Sequence, residues 1–174
     1  MSIEILVLSD TQLNSAGEWQ SAINVEGFPL HIVDNTPLDG RGGSLIAHLR
    51  ENKTCIEYRF EDFDRLKDSY KEKNFGRDWK YLLAIPWIQG FDGVTAAWMA
   101  ATAYARATDG VIFDPQEGKL FSPVEAFNII QDLERTRPEA EKMLRNRVEQ
   151  LSAKSPEIRA ALQAFMQRRS NKSS

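Results

Sequence analysis

The chain has 174 residues, of which 42% are hydrophobic and 27% charged, with a formal net charge of −3. This composition is typical of a soluble globular protein and excludes wholesale disorder. The single cysteine, Cys55, excludes an intrachain disulfide, and no cluster of cysteines and histidines has the spacing of a zinc site. We therefore expect neither a metal nor another cofactor.

The first residues favour a cytoplasmic protein. The N-terminus carries no basic leader, and its apolar run ends after Leu8, which is too short for a signal peptide. No window approaches the roughly 18 apolar residues that a membrane-spanning helix needs. We expect a cytoplasmic location and no membrane partner.

The first predicted elements are a strand and a helix. Ile3–Leu8 is a nearly continuous apolar run, typical of a strand covered on both faces. Ser9-Asp10-Thr11 can cap a helix because short oxygen-bearing side chains accept hydrogen bonds from free backbone N–H groups. The helix would bury Leu13, Ala16 and Ile23.

Further strands surround a second helix. The alternation of apolar and polar residues in Thr54–Phe60 is typical of a half-buried strand, and a short polar turn joins it to Ser44–Arg50. The other predicted elements are a strand over Phe28–Val33, a helix from about Asp62 to Lys73, and a strand over Trp79–Ile85.

The clearest predicted helix covers Asp92–Thr108. Seven of the twelve residues from Ala96 to Ala107 are alanine, which favours a helix and allows close packing. Trp98 lies on its apolar stripe, so we expect that side chain in the core. Gly110 is suited to the left-handed position after the helix.

A hairpin and a capped helix complete the first part of the chain. Val111–Asp114 and Lys119–Phe121 are predicted strands joined by a turn. Ser122-Pro-Val-Glu125 has the pattern of a capping box with proline at the first helical position. The helix is expected to bury Val124, Phe127, Ile130 and Leu133.

Charge divides the chain into an acidic domain and a basic appendage. Residues 1–134 have a net charge of −9 and residues 135–174 a net charge of +6. Thr136-Arg137-Pro138 predicts a break in the helix, because the residue before proline is pushed out of helical geometry. Two apolar stripes, within 140–151 and 158–166, predict a C-terminal helical hairpin.

The whole pattern predicts an α+β fold with a mixed, mostly antiparallel sheet packed by helices. The basic segment could form a solvated helical face, dock on the acidic domain, or join two subunits through residues 136–174. The acidic balance and the lack of interleaved aromatic residues argue against a nucleic-acid partner.

Three segments resemble a family of small, uncharacterised bacterial proteins. They are Trp87-Ile-Gln-Gly-Phe-Asp92, the alanine-rich Ala97-Trp-Met-Ala-Ala-Thr-Ala-Tyr-Ala105, and Thr108-Asp-Gly-Val-Ile-Phe-Asp-Pro-Gln-Glu-Gly118. The resemblance covers about residues 28–134 and implies a compact α+β fold. It carries no established activity, so it assigns no catalytic residues. Some similar small proteins look like the antidote half of toxin–immunity pairs, an analogy of architecture only.

The candidate binding residues are Trp87, Asp114, Gln116 and Glu117. Asp114 and Glu117 could bind a cation or act as an acid and a base, although Asp, Pro and Gly also favour a turn for local reasons. Trp87 stands beside a proline and before a Gln-Gly break, which favours exposure. An exposed tryptophan is a common anchor in protein interfaces.

Two functions fit these residues. The first is a non-catalytic protein-interaction module, such as an immunity-type inhibitor of a basic partner, because a convergent catalytic set is not visible in the sequence. The alternative is a small hydrolase or ligand-binding enzyme that uses His31 or His48 with a carboxylate such as Asp34.

Overall fold

The computed structural model describes residues 3–87 and 90–154, which form one sheet and four helices. The strands are β1 (Glu4–Ser9), β2 (Leu30–Ile32), β3 (Gly42–Leu49), β4 (Asn52–Glu61), β5 (Tyr81–Pro86), β6 (Val111–Asp114) and β7 (Lys119–Phe121). The helices are α1 (Ala16–Val25), α2 (Phe63–Ser69), α3 (Phe91–Ala107) and α4 (Pro123–Lys154).

The seven described strands have the order β2-β3-β4-β5-β1-β6-β7, and every neighbouring pair is antiparallel. Leu6 of β1 lies opposite Ala84 of β5 on one side and Phe113 of β6 on the other. The α+β class and the predominance of antiparallel pairing are confirmed. The prediction of a mixed sheet is wrong, because every pair among the described strands is antiparallel.

Each face of the sheet has its own core. The first core lies under α1, α3 and the start of α4, and includes Ile5, Val7, Trp19, Ile23, Leu83, Tyr104, Ala126 and Ile130. The second core lies under α2 and the segment after it, and consists of Leu6, Leu8, Phe63, Leu66, Phe75, Leu82, Ala84 and Phe113. Successive residues of β1 thus enter opposite cores, which confirms a strand covered on both faces.

The predicted start of the first helix is wrong. Helix α1 begins at Ala16, and its cap is Ser15, whose hydroxyl accepts from Glu18 N at 3.1 Å. The Glu18 carboxylate accepts in return from Asn14 N at 2.7 Å. The pair of Ser15 and Glu18 resembles a capping box in which Glu18 binds the N–H one residue before the cap. Ser9 instead ends β1, and its hydroxyl donates to the Thr11 carbonyl oxygen at 2.8 Å, so it caps no helix. Leu13 therefore precedes the helix.

Helix α3 confirms the predicted alanine-rich helix and the buried Trp98. All residues from Thr95 to Ala105 are buried, so α3 is covered around its circumference rather than along one stripe. The prediction for the following turn is wrong, because Asp109, at φ 51°, takes the left-handed position. Gly110 is required for another reason: a Cβ there would lie 2.5 Å from the Leu8 carbonyl oxygen.

The capping box of α4 is confirmed. Ser122 N donates to the Glu125 carboxylate at 2.7 Å, and Glu125 N donates to Ser122 Oγ at 3.3 Å. Hydrogen bonds from the backbone and the side chain of Ser122 lower the pKa of Glu125. The expected burial of Val124 is wrong, since its side chain is 61% exposed. Ala126 takes the buried position instead.

The predicted helix break at Thr136-Arg137-Pro138 is also wrong, because α4 continues through Pro138 to Lys154. Proline removes one backbone N–H, and the remaining hydrogen bonds of a long helix tolerate that loss at a cost. The chain divides into one compact unit of Met1–Glu134 and a second unit that begins at Arg135. The second arm of the predicted helical hairpin, in 158–166, lies outside the described residues.

Candidate interaction surface

The predicted polar cluster forms the turn between β6 and β7. The Asp114 carboxylate accepts hydrogen bonds from Gln116 N at 2.8 Å and from Glu117 N at 3.4 Å. Glu117 pairs with Lys119 at 2.9 Å. Asp114 therefore shapes the turn, while the exposed Gln116 and Glu117 form its tip.

Side chains from the segment after α2 hold this turn in place. Lys73 Nζ donates to the Gly118 carbonyl oxygen at 2.6 Å, and Tyr70 Oη donates to that of Pro115 at 3.5 Å. The Tyr70 ring also packs edge-on against Phe113, with ring centroids 5.0 Å apart. The turn is thus connected to the second core rather than projecting alone into solvent.

Trp87 lies at the same end of the sheet as this turn. Its backbone N donates to the Ile3 carbonyl oxygen at 3.3 Å, directly after β5 pairs with the start of β1. The β1–β6 register, extended by one residue, sets Asp114 beside Ile5. Only β1 separates Trp87 from the turn, so their backbones are about 10 Å apart, two strand spacings.

Ile3 and Glu4 also belong to this end, although the sequence did not identify them as functional candidates. Ile3 is 45% exposed between the two predicted binding segments. Glu4 pairs with Arg59 of β4 at 2.7 Å. The signal in the sequence for this end of β1 was Glu4, a charged residue inside an otherwise apolar strand. We call Ile3, Trp87, Asp114, Gln116 and Glu117 the end surface.

The two histidines lie elsewhere, on the neighbouring strands β2 and β3. His31 is exposed, His48 is half-buried, and each stands opposite the other in the register. The carboxylate of Asp34 accepts from Ile46 N at 2.7 Å. Within the described part of the chain, no hydrogen bond joins either imidazole to a carboxylate, so the hydrolase alternative stays a prediction without geometric support.

A basic cavity of about 370 Å³ is lined by Lys67 of α2 and by the segment that follows the helix, residues 70–78. Two of its cations have carboxylate partners: Lys67 pairs with Asp78 at 2.9 Å, and Arg77 pairs with Asp10 at 3.1 Å. The pairing raises the pKa of Lys67, through hydrogen bonds to Asp64 and Asp78. Carboxylates of the chain thus offset the charges of Lys67 and Arg77 at this cavity.

Comparisons with family models, curated proteins and solved structures find no match to the chain. The described residues contain no group of three or more side chains able to hold a metal ion. Among the same residues, no helix combines the length and apolar character needed to cross a bilayer.

Proposed function

We propose that the protein is a non-catalytic interaction module that binds a basic protein through the end surface, as an immunity-type inhibitor does. The supporting observation is the juxtaposition of the exposed Ile3, the half-buried Trp87 and the carboxylate-bearing β6–β7 turn at one end of the sheet.

This combination has the composition of a protein interface. An aromatic side chain and an exposed aliphatic one provide an apolar centre, and polar side chains form a rim. Trp87 packs against the first core, so its side chain loses little conformational freedom on binding. The net charge of −9 over residues 1–134 would attract a basic partner at long range.

The proposal is tested first by capture from a lysate of the organism that encodes the chain, at low and high salt. We expect one stoichiometric, basic protein at low salt and weaker capture at high salt, because salt screens the attraction. Failure to recover a stoichiometric partner at either salt contradicts the proposed function.

The surface is then tested by calorimetry with the purified partner. Glu117→Lys should weaken binding about five- to tenfold, because it reverses a charge at the rim. Asp68→Lys is the matched control: it makes the same change of charge at an exposed position of α2. Equal affinities of the two variants would show that the partner binds another surface.

A further inference from the structure

His31 and His48 occupy directly opposed positions on adjacent antiparallel strands. Two residues away on one side, Val33 N donates to the Ile46 carbonyl oxygen at 2.9 Å. Two residues away on the other side, Arg50 N donates to the Pro29 carbonyl oxygen at 2.8 Å. Bonded and non-bonded pairs alternate in an antiparallel ladder, so the histidines form a bonded pair with Cα atoms about 5.5 Å apart.

The strand that carries His31 is fixed even though it lies at the edge of the sheet. Ile32 N donates to the Gln20 side-chain oxygen, and Gln20 Nε2 donates to the Leu30 carbonyl oxygen at 3.3 Å. The Gln20 amide therefore satisfies outward-facing backbone groups as a further strand would. The backbone around His31 is held from both sides.

The two imidazoles share the sheet face opposite the first core. Leu30, Ile32, Ala47 and Leu49 point into that core, so the alternating His31 and His48 point away from it. Neither residue is fully buried: His31 is exposed and His48 is half-buried. The charged group that faces them in the next strand is Lys53, opposite His48.

We propose that His31 and His48 together bind one divalent transition-metal ion, of the class of Zn²⁺, Cu²⁺ or Ni²⁺, with water in its remaining positions. Imidazole nitrogen is the ligand these ions share, at about 2.0–2.1 Å for zinc. Once the ion binds one ring, the second ring meets it at a high effective concentration, because the ladder fixes their separation. This site is independent of the proposed interaction function.

Cys55 is not a third ligand of the proposed metal ion. It stands opposite Ile46, one row away from the histidine pair. Burial and the nearby Glu57 raise the pKa of this thiol, which disfavours the thiolate that metals bind. The proposed ligands are therefore two imidazoles.

The test uses the full-length chain without a histidine tag, in which His31 and His48 are the only histidines. Titration with Zn²⁺ in a calorimeter should give one ion per chain. His31→Gln and His48→Gln should each weaken binding at least about tenfold, and the double variant should lose little more, because either loss removes the chelate. The proposal is overturned if the wild type binds two ions per chain and each single variant binds one. It is also overturned if the double variant binds Zn²⁺ as tightly as the wild type.

Two further variants locate the ion. Cys55→Ser should bind Zn²⁺ as the wild type does; a tenfold loss would contradict the two-imidazole set. Lys53→Gln should bind about two- to threefold more tightly, because it removes a screened positive charge near the ion. Weaker binding by Lys53→Gln would place the ion elsewhere. Circular dichroism of each variant checks that the fold is retained.

Discussion

The two cores on opposite faces of the sheet are built in different ways. The first is covered by long helices and contains fully buried side chains such as Trp19 and Tyr104. The second is smaller and aromatic: Phe75 packs edge-on against Phe63 and Phe113, at centroid distances of 5.6 and 5.2 Å. It is covered by α2, which has only seven residues.

The difference shows which contacts hold the helices in place over each core. An isolated seven-residue helix is marginal in water, so α2 depends on contacts with the rest of the chain. Lys67 of α2 supplies one of them through its ion pair with Asp78. In the segment after α2, Arg77 pairs with Asp10 and lies over the Trp79 ring at 4.0 Å. The first core is held mainly by apolar burial, whereas the second is held by a mixture of aromatic and charged contacts.

The largest expected effect is in the first core. Trp19→Ala removes a fully buried ring, its hydrogen bond from Nε1 to the Ala100 carbonyl oxygen at 2.9 Å, and an edge contact with Tyr104. We expect a loss of about 4 kcal/mol in the free energy of unfolding, measured with urea.

Phe75→Ala is the matched variant in the second core. Phe75 remains 6% exposed, and its short surrounding segment can collapse into the space, so we expect a smaller loss of about 2–3 kcal/mol. An equal or larger loss for Phe75→Ala would contradict the distinction between the cores.

A second prediction concerns alkaline pH. Burial raises the pKa of Tyr104 from 10.0 to about 12. Between these values the unfolded chain releases the phenolic proton and the folded chain keeps it, so stability is complete below pH 10 and falls as the pH rises toward 12. The expected loss in the free energy of unfolding between pH 10 and pH 12 is about 2–3 kcal/mol.

Urea unfolding at a series of pH values measures this effect. Tyr104→Phe should show a weaker decline between pH 10 and 12, whatever its stability at neutral pH. The variant also lacks the oxygen that accepts a hydrogen bond from Leu13 N at 3.2 Å, which changes its stability at every pH. The comparison is therefore between the slopes of the free energy of unfolding against pH, not between its values at one pH. Parallel slopes would show that Tyr104 is not the group involved.

The smallest predicted effect is in the cover of the second core. Arg77→Gln removes the ion pair with Asp10 and the contact with the Trp79 ring, and should cost about 1 kcal/mol at low salt. Salt should reduce the difference because both partners are partly exposed. Arg41→Gln, the same change of charge in an exposed loop, serves as the control and should stay within about 0.5 kcal/mol.

Periodicity located the main elements. The apolar run at β1, the alanine-rich α3 and the capping box of α4 were all identified from local patterns, because buried stripes and caps depend on neighbouring residues. The role of the basic segment stays a prediction.

The errors came where two local signals competed. Ser9-Asp10-Thr11 and Ser15 both resemble caps, but Ser9 pairs with Tyr81 at the end of β1, whereas the Ser15 hydroxyl accepts from Glu18 N. Asp109 and Gly110 both suit a left-handed position, but only glycine fits against the Leu8 carbonyl, so Asp109 takes the turn. At Pro138 the helical hydrogen bonds on both sides stabilise the helix by more than the loss of the one hydrogen bond that proline cannot donate.

The sequence by itself determined the class of the fold and the existence of most strands and helices, since these depend on the period of apolar residues along the chain. Only the tertiary structure decided which distant segments are neighbours. Strand order set Trp87 at the same end of the sheet as the β6–β7 turn, with β1 between them, and register set His31 opposite His48. Both follow from pairing between remote backbone groups, which a local pattern does not encode.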